Sequence, residues 1–334
     1  MPEPMPSLIL RSLLPLFLAV AAQAAIAARA YEIAVVPMGN THEYWKAIHA
    51  GALKAERELN ASGVPVHVIW KGPLREDDRD QQIQVVENFI GRQVNGIVLA
   101  PLDQHALVGP VEEAVGAHIP VVIVDSALVS PAPSSFIATD NREGGRIAAR
   151  RLGELLGGKG KAILLRCLSG SASTEERESG FLEVMRRDFP GIELLSTNQH
   201  AGATRDTARR ASENLLNRFG GEVKGIFTPN ESSSAGMLLA LRDAGLAGGR
   251  VKFVGFDAGE TLIAGLRAGD LQGLVIQDPF KMGYLGVKTL VAVLRGEKVP
   301  AVIKTSVGLV TPENMNEPAM AALLHPTGVP PEAR

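Results

Sequence analysis

The chain has 334 residues, of which 46% are hydrophobic and 21% charged, and its formal net charge is -2. That length allows two domains, and that composition a packed core instead of disorder. The near-neutral balance gives no electrostatic footprint for nucleic acid, and the single cysteine, Cys167, permits no internal disulfide.

Arg11 precedes an apolar run from Leu13 to Ala28, interrupted by Gln23 and ending in Ala28-Arg29-Ala30 before Tyr31. A basic start, an apolar middle and an A-x-A end predict a secretory signal peptide over residues 1–30, cleaved after Ala30 in preference to Ala24 or Ala27. The run is short and Ala-rich for a retained anchor, and no later run has the length and apolarity of a spanning helix. The mature protein is therefore expected to be soluble and periplasmic.

From Tyr31 onward, β-branched runs alternate with helical spacing. Strands are expected over Ile33–Pro37, Val64–Trp70, Gly96–Ala100 and Val121–Asp125, and helices over His42–Asn60, Asp78–Arg92 and Gln104–Ala117. The continuously apolar third strand suits a parallel sheet covered on both faces. A loop holding Ser130, Pro131, Pro133 and Ser134 breaks the rhythm and marks a turn or a crossing between domains. The alternation then restarts. Helices are expected over Asn141–Leu156, Glu175–Phe189, Thr204–Phe219, Ser232–Ala244, Glu260–Ala268 and Phe280–Leu294. Strands fall over Ala162–Leu168, Ile192–Ser196, Val223–Thr228, Val251–Phe256 and Leu271–Gln277, with an extended stretch over Val302–Val310 and a loose tail over 319–334.

Two consecutive α/β units predict two doubly wound parallel-sheet lobes facing each other across a cleft lined by strand-end loops. The N-terminal lobe is assigned residues 31–139 plus 278–305, and the C-terminal lobe residues 140–277 plus 306–318. The strand ends are where polar chemistry gathers. Tyr44 and Trp45 follow the first strand beside His42, where they either stack on the C–H face of a sugar or pack against the sheet. Thr41 and Asp103 suit helix caps. Asp125 ends an apolar strand, as a turn former or as an acceptor for two ligand hydroxyls. Arg177 lies near a helix start, where a cation is out of place, and its planar fork suits vicinal oxygens. Asn230, Asp257 and Gln277 follow or end three further strands. Each alone is an ordinary cap or turn residue. Together they offer fixed donors and acceptors to a neutral, hydroxyl-rich ligand.

The segments Gly96-Ile97-Val98-Leu99-Ala100-Pro101-Leu102-Asp103, Ile119-Pro120-Val121-Val122-Ile123-Val124-Asp125, Val254-Gly255-Phe256-Asp257 and Gly296-Glu297-Lys298-Val299-Pro300, in this order, resemble the periplasmic sugar-binding proteins of the ribose-binding type. The resemblance spans nearly the whole mature chain. It implies a Venus-flytrap fold with three crossovers and delivery of a sugar or polyol to the membrane subunits of an ATP-driven (ABC) permease. It also implies ligand contacts from Tyr44, Trp45, Asp125, Arg177, Asn230, Phe256-Asp257 and Gln277. The chain departs from that pattern at Ala100, Ser126 and Ala203, and at His42-Glu43, which makes ribose itself doubtful and Trp45 the main stacking platform.

Other classes fare worse. A sugar-responsive repressor core of the same fold would carry a DNA-binding headpiece before Tyr31, where the signal peptide stands instead. A periplasmic sensor reporting to a membrane kinase or chemoreceptor would use the same lobes and stays open. For an enzyme there is no HExxH, no paired Cys ligands and no G-x-S-x-G. Gly153–Lys159 nearly spells a phosphate loop, but Gly160 follows in place of Ser or Thr, between a helix and a strand. No cofactor or metal is expected, and Glu76-Asp77-Asp78 is read as a solvated helix start. A monomer suits a shuttle.

Overall fold

The computed structural model describes residues 30–325; the expected signal peptide lies outside this range up to Arg29. Strands β1 (Tyr31–Val36), β2 (Val66–Trp70), β3 (Gly96–Leu99) and β4 (Val121–Val124) alternate with helices α1 (Glu43–Ala61), α2 (Arg79–Gly91) and α3 (Val108–Gly116). Then come β5 (Ser135–Thr139), α4 (Asn141–Leu155), β6 (Lys159–Arg166), α5 (Ala172–Asp188), β7 (Gly191–His200), α6 (Arg205–Phe219) and β8 (Gly225–Phe227). The chain continues through α7 (Glu231–Asp243), β9 (Lys252–Phe256), α8 (Glu260–Arg267), β10 (Gly273–Gln277) and α9 (Pro279–Leu294), and ends in β11 (Val302–Thr305), β12 (Val307–Val310) and α10 (Pro318–Leu324).

Two six-stranded sheets result, ordered β11-β5-β4-β3-β1-β2 and β12-β10-β9-β8-β6-β7. Every pairing is parallel except β10 with β12. Both faces of each sheet are covered, which is why β3 and β4 are apolar at consecutive positions. In β1, Ile33 and Val35 join one hydrophobic cluster while Ala34 and Val36 join the one behind it.

The chain passes between the sheets three times: from β5 to α4, from β10 to α9, and from β11 to β12. At the first two passes the crossing helix seats against the first helix of the lobe it enters. There α9 meets α1, and α4 meets α5. Glycines let the backbones touch. A Cβ on Gly283 would sit 1.9 Å from the Ile48 carbonyl oxygen, and one on Gly51 1.9 Å from that of Phe280. In the other lobe a Cβ on Gly145 would sit 1.8 Å from the Arg177 carbonyl oxygen, and one on Gly180 2.0 Å from that of Arg142.

Several expectations need correction. Residues Ser135–Thr139, unassigned in the sequence reading, form β5, an inner strand of the first sheet whose alternation is masked by burial on both faces. The extended stretch Val302–Val310 is two strands in different sheets, parted at Ser306. Helix α5 begins three residues before Glu175, so Arg177 lies in its second turn. Thr41 does not cap α1; His42 holds that position, without a capping side-chain bond. Part of the expected loose tail is α10, where Leu324 is buried and Met320 and Leu323 pack on the second lobe's core.

Candidate ligand-binding cleft

All eight singled-out side chains, from His42 to Gln277, line one cavity between the sheets, together with Glu76, Glu231, Cys167 and Ser173. The topology explains the convergence. In parallel sheets the loops after the strands share one edge, and the two sheets turn those edges toward each other.

Asp125 and Asp257 occupy matching places, each the first residue past a strand, after β4 and β9. Both have φ 66°, the left-handed region, which Asp tolerates better than most side chains at a cost of order 1 kcal/mol. Their N–H groups donate to the next strand, Asp125 to the Ile137 carbonyl at 2.9 Å and Asp257 to that of Val275 at 2.8 Å. The turn aims each carboxylate into the cleft.

On the first lobe the Tyr44 hydroxyl donates to Asp125 Oδ1 at 2.6 Å. Trp45 Nε1 and His42 Nδ1 both meet Glu76 Oε1, each at 2.7 Å. The two aromatic rings stand edge to face at 5.1 Å. Glu76 is thus no solvated helix start: it is 9% exposed and fixes the Trp45 indole and the His42 ring together. Composition hid it, because three consecutive acids look like surface. Trp70 lies outside the cavity; it donates to Asn40 Oδ1 and stacks on His49.

On the second lobe Arg177 is 2% exposed. Its Nε donates to Asn141 Oδ1 at 2.8 Å, its Nη1 to the Pro229 carbonyl at 2.9 Å, and its guanidinium lies 4.1 Å above the Phe256 ring. Nη1 is 3.9 Å from Asp257 Oδ2. Gln277 Nε2 donates to Asp257 Oδ1 at 2.7 Å, which leaves its Oε1 buried with no partner among the described residues. Asn230 caps α7, accepting from Ser233 N and donating to Ser232 Oγ. Ala203 is buried, and Ser126 accepts a hydrogen bond from Ser173 N across the cleft.

The lobes are closed on each other, and two helices start on carboxylates from the opposite side. Glu231 of α7 accepts from Tyr44 N at the start of α1, and Glu43 of α1 accepts from Glu260 N at the start of α8, each at 3.1 Å. Neither helix has a capping side chain of its own. A carboxylate there satisfies an orphan donor and favours the positive end of the helix dipole. Gln104 N and Arg79 Nη2 add bonds to the Gly170 and Ser169 carbonyls at the rim.

Burial sets the protonation of this site. It pushes Asp125 up to about 6 and Glu231 up to about 7, with Arg177 and His42 respectively pulling back. Asp257 is raised for the same reason. Burial alone would lower His42, but the charge and hydrogen bond of Glu76, aided by Glu231 and opposed by Arg205, raise it to about 9. Burial pushes the Cys167 thiol well up as well, which leaves it protonated and unreactive.

The folded protein therefore holds protons that the unfolded chain releases, and its stability falls as pH rises. For Glu231 and Asp125 the loss runs from their ordinary values up to about 7 and 6; for His42 it runs from 6.5 to about 9. The ligand-free protein is expected to melt about 5 °C lower at pH 9 than at pH 6. Scanning calorimetry of wild type and Glu76→Gln checks this, the variant giving a flatter slope above pH 7. A melting temperature that climbs over that range would contradict the assignment.

The pattern of the periplasmic binding protein domain matches residues 33–298. Among proteins of known role, the chain is 27% identical over 256 residues to a ribose import binding protein of Bacillus subtilis (strain 168), covering 77% of this chain and 80% of that one. It is 26% identical to a xylitol-binding protein of Mycolicibacterium smegmatis, covering 72% and 70%. Among solved structures, a carbohydrate transporter solute-binding protein from Agrobacterium radiobacter in complex with D-arabinose is 33% identical. It superposes with a TM-score of 0.84, covering 89% of this chain and 99% of that one. An ABC transporter solute-binding protein from Agrobacterium vitis with bound D-fucose is 32% identical with a TM-score of 0.83, covering 88% and 99%.

Proposed function

Since this chain belongs to the periplasmic binding protein family, we propose that it captures a sugar or sugar-like polyol in the periplasm and delivers it to the membrane subunits of an ABC-type importer. The observation that carries the reading is the convergence of aromatic rings, carboxylates, a guanidinium and an amide from both lobes on one cavity between the sheets. The relatives that bind ribose, xylitol, D-arabinose and D-fucose support the ligand class.

In this reading Asp125, Tyr44, Trp45 and His42 belong to the lobe that receives the ligand first, and Arg177, Asn230, Asp257 and Gln277 engage it on closure. The three chain crossings act as the hinge between residues 31–139 plus 278–305 and residues 140–277 plus 306–318. Ligand shifts the lobes toward the closed form by binding that form better. Stereochemistry is read by cost: a hydroxyl or carboxylate buried without its partner is heavily penalised, so a misplaced epimer is rejected.

A thermal-shift screen of residues 31–334 against pentoses, hexoses and polyols tests the proposal, because a ligand that binds only the folded form raises the melting temperature. A stereospecific shift by one of them is expected; none with any polyhydroxylated compound, in folded protein freed of ligand, would sink it. With the ligand in hand, Asp257→Ala is expected to weaken binding about 30-fold without unfolding the protein, as loss of one charged hydrogen-bonding group does. Titration calorimetry reads that change, and wild-type affinity would remove Asp257 from the site.

A further inference from the structure

The cavity carries more negative charge and more acceptors than a neutral sugar can answer. Glu76, Asp125, Glu231 and Asp257 face it, and the cations among its lining residues are Arg177 and His42. Those cations are partly engaged within the protein: His42 Nδ1 with Glu76, and Arg177 Nε and Nη1 with Asn141 and the Pro229 carbonyl. On the acceptor side, one oxygen of Glu76, one of Glu231 and one of Asp125 take no hydrogen bond from a described residue, since their bonds converge on the other oxygen. The Gln277 carbonyl oxygen, on a side chain 2% exposed, also has no donor. Its orientation is fixed, because its amide nitrogen is held by Asp257.

We propose that the ligand is a cationic, amino-substituted sugar or polyol, whose ammonium group pairs with Glu76 in the cavity that Asp125 and Glu231 also line. This rests on the sugar-capture reading above and narrows it. An ammonium brings three donors, no acceptor and one positive charge. A hydroxyl brings one donor and no charge, and leaves the formal excess of negative charge one larger than an ammonium does, which is costly in a closed site. A bare metal ion is a poorer answer: no group of three or more His, Cys, Asp or Glu among the described residues is arranged to hold one. Burial raises Asp125 and Glu231 against the pull of Arg177 and His42, and an ammonium beside them would favour their charged forms further.

The experiment is a matched-pair titration by calorimetry at pH 7 on residues 31–334 freed of ligand. The pairs are D-glucosamine with D-glucose, D-galactosamine with D-galactose, D-mannosamine with D-mannose, and glucamine with sorbitol. An amino compound is expected to bind at least ~10-fold tighter than its neutral parent, as for one charge-assisted contact. Glu76→Gln is expected to narrow that gap to under about threefold by the same reasoning. A neutral parent binding as tightly as its amine overturns the ammonium site and leaves sugar capture standing. No binding in either column overturns the ammonium site, while sugar capture is decided by the thermal-shift screen of pentoses, hexoses and polyols.

Discussion

Arg177→Ala is expected to abolish measurable sugar capture and to cost about 3–5 kcal/mol of stability, the range seen when one partner of a buried charged network is removed. The loss has three parts. Asp257 and Asp125 lose the nearest positive charge in a closed site. Asn141 and the Pro229 carbonyl lose their donor. The Phe256 ring, fully buried, loses the plate that covers it. Arg177→Lys separates charge from shape. A lysine restores the positive charge but neither the two-pronged donation nor the stacked plane. It is expected to recover most of the stability and little of the capture. Urea denaturation and calorimetric titration of the three proteins together read both quantities. Lysine restoring full affinity would show that charge alone matters at this position.

The second large effect lies behind the cleft. Gly145→Ala, judged by helix propensity alone, gains about 1 kcal/mol. The packing reverses the sign. The new methyl would stand 1.8 Å from the Arg177 carbonyl oxygen, a backbone atom that cannot swing away. Helices α4 and α5 must part, at a net cost of about 3 kcal/mol, the upper end for overpacking. Because that carbonyl belongs to Arg177, the guanidinium moves with the helix, and affinity falls along with stability. Gly116→Ala, at an exposed helical position where a Cβ meets nothing within 4 Å, is the control and is expected to be neutral or stabilising. Chemical denaturation midpoints distinguish the two, and a stabilised Gly145→Ala would mean that α4 and α5 do not pack this closely.

These two residues mark the limit of what a linear reading reaches. Alternating apolar runs and helical spacing were enough for the two-lobed α/β architecture and for the polar strand ends that gather in the cleft. Short β5 escaped because a strand buried on both faces has no alternation, and Pro-Ser punctuation beside it looks like loop. The parting of β11 from β12 escaped because one extended run does not say which sheet it serves. Glu76 escaped for a different reason. Its role depends on Trp45 and His42, 31 and 34 residues away, meeting one of its oxygens, and the acids next to it imitate a solvent-facing run. Glu231 escaped likewise, since its partner is a backbone N–H of the other lobe, 187 residues distant.

The two carboxylates that reach across the cleft to the starts of α1 and α8 also bear on time. A ligand enters only when α1 and α7 have separated, so Glu43 and Glu231 must release their amides first. Every departure waits on that opening, whereas a ligand that meets the open lobes does not. Contacts made on closure therefore lengthen residence more than they delay loading. Weakening the latch at Glu43 is expected to quicken release of cargo while the loading rate stays nearly constant, a split that stopped-flow traces resolve and an equilibrium titration does not.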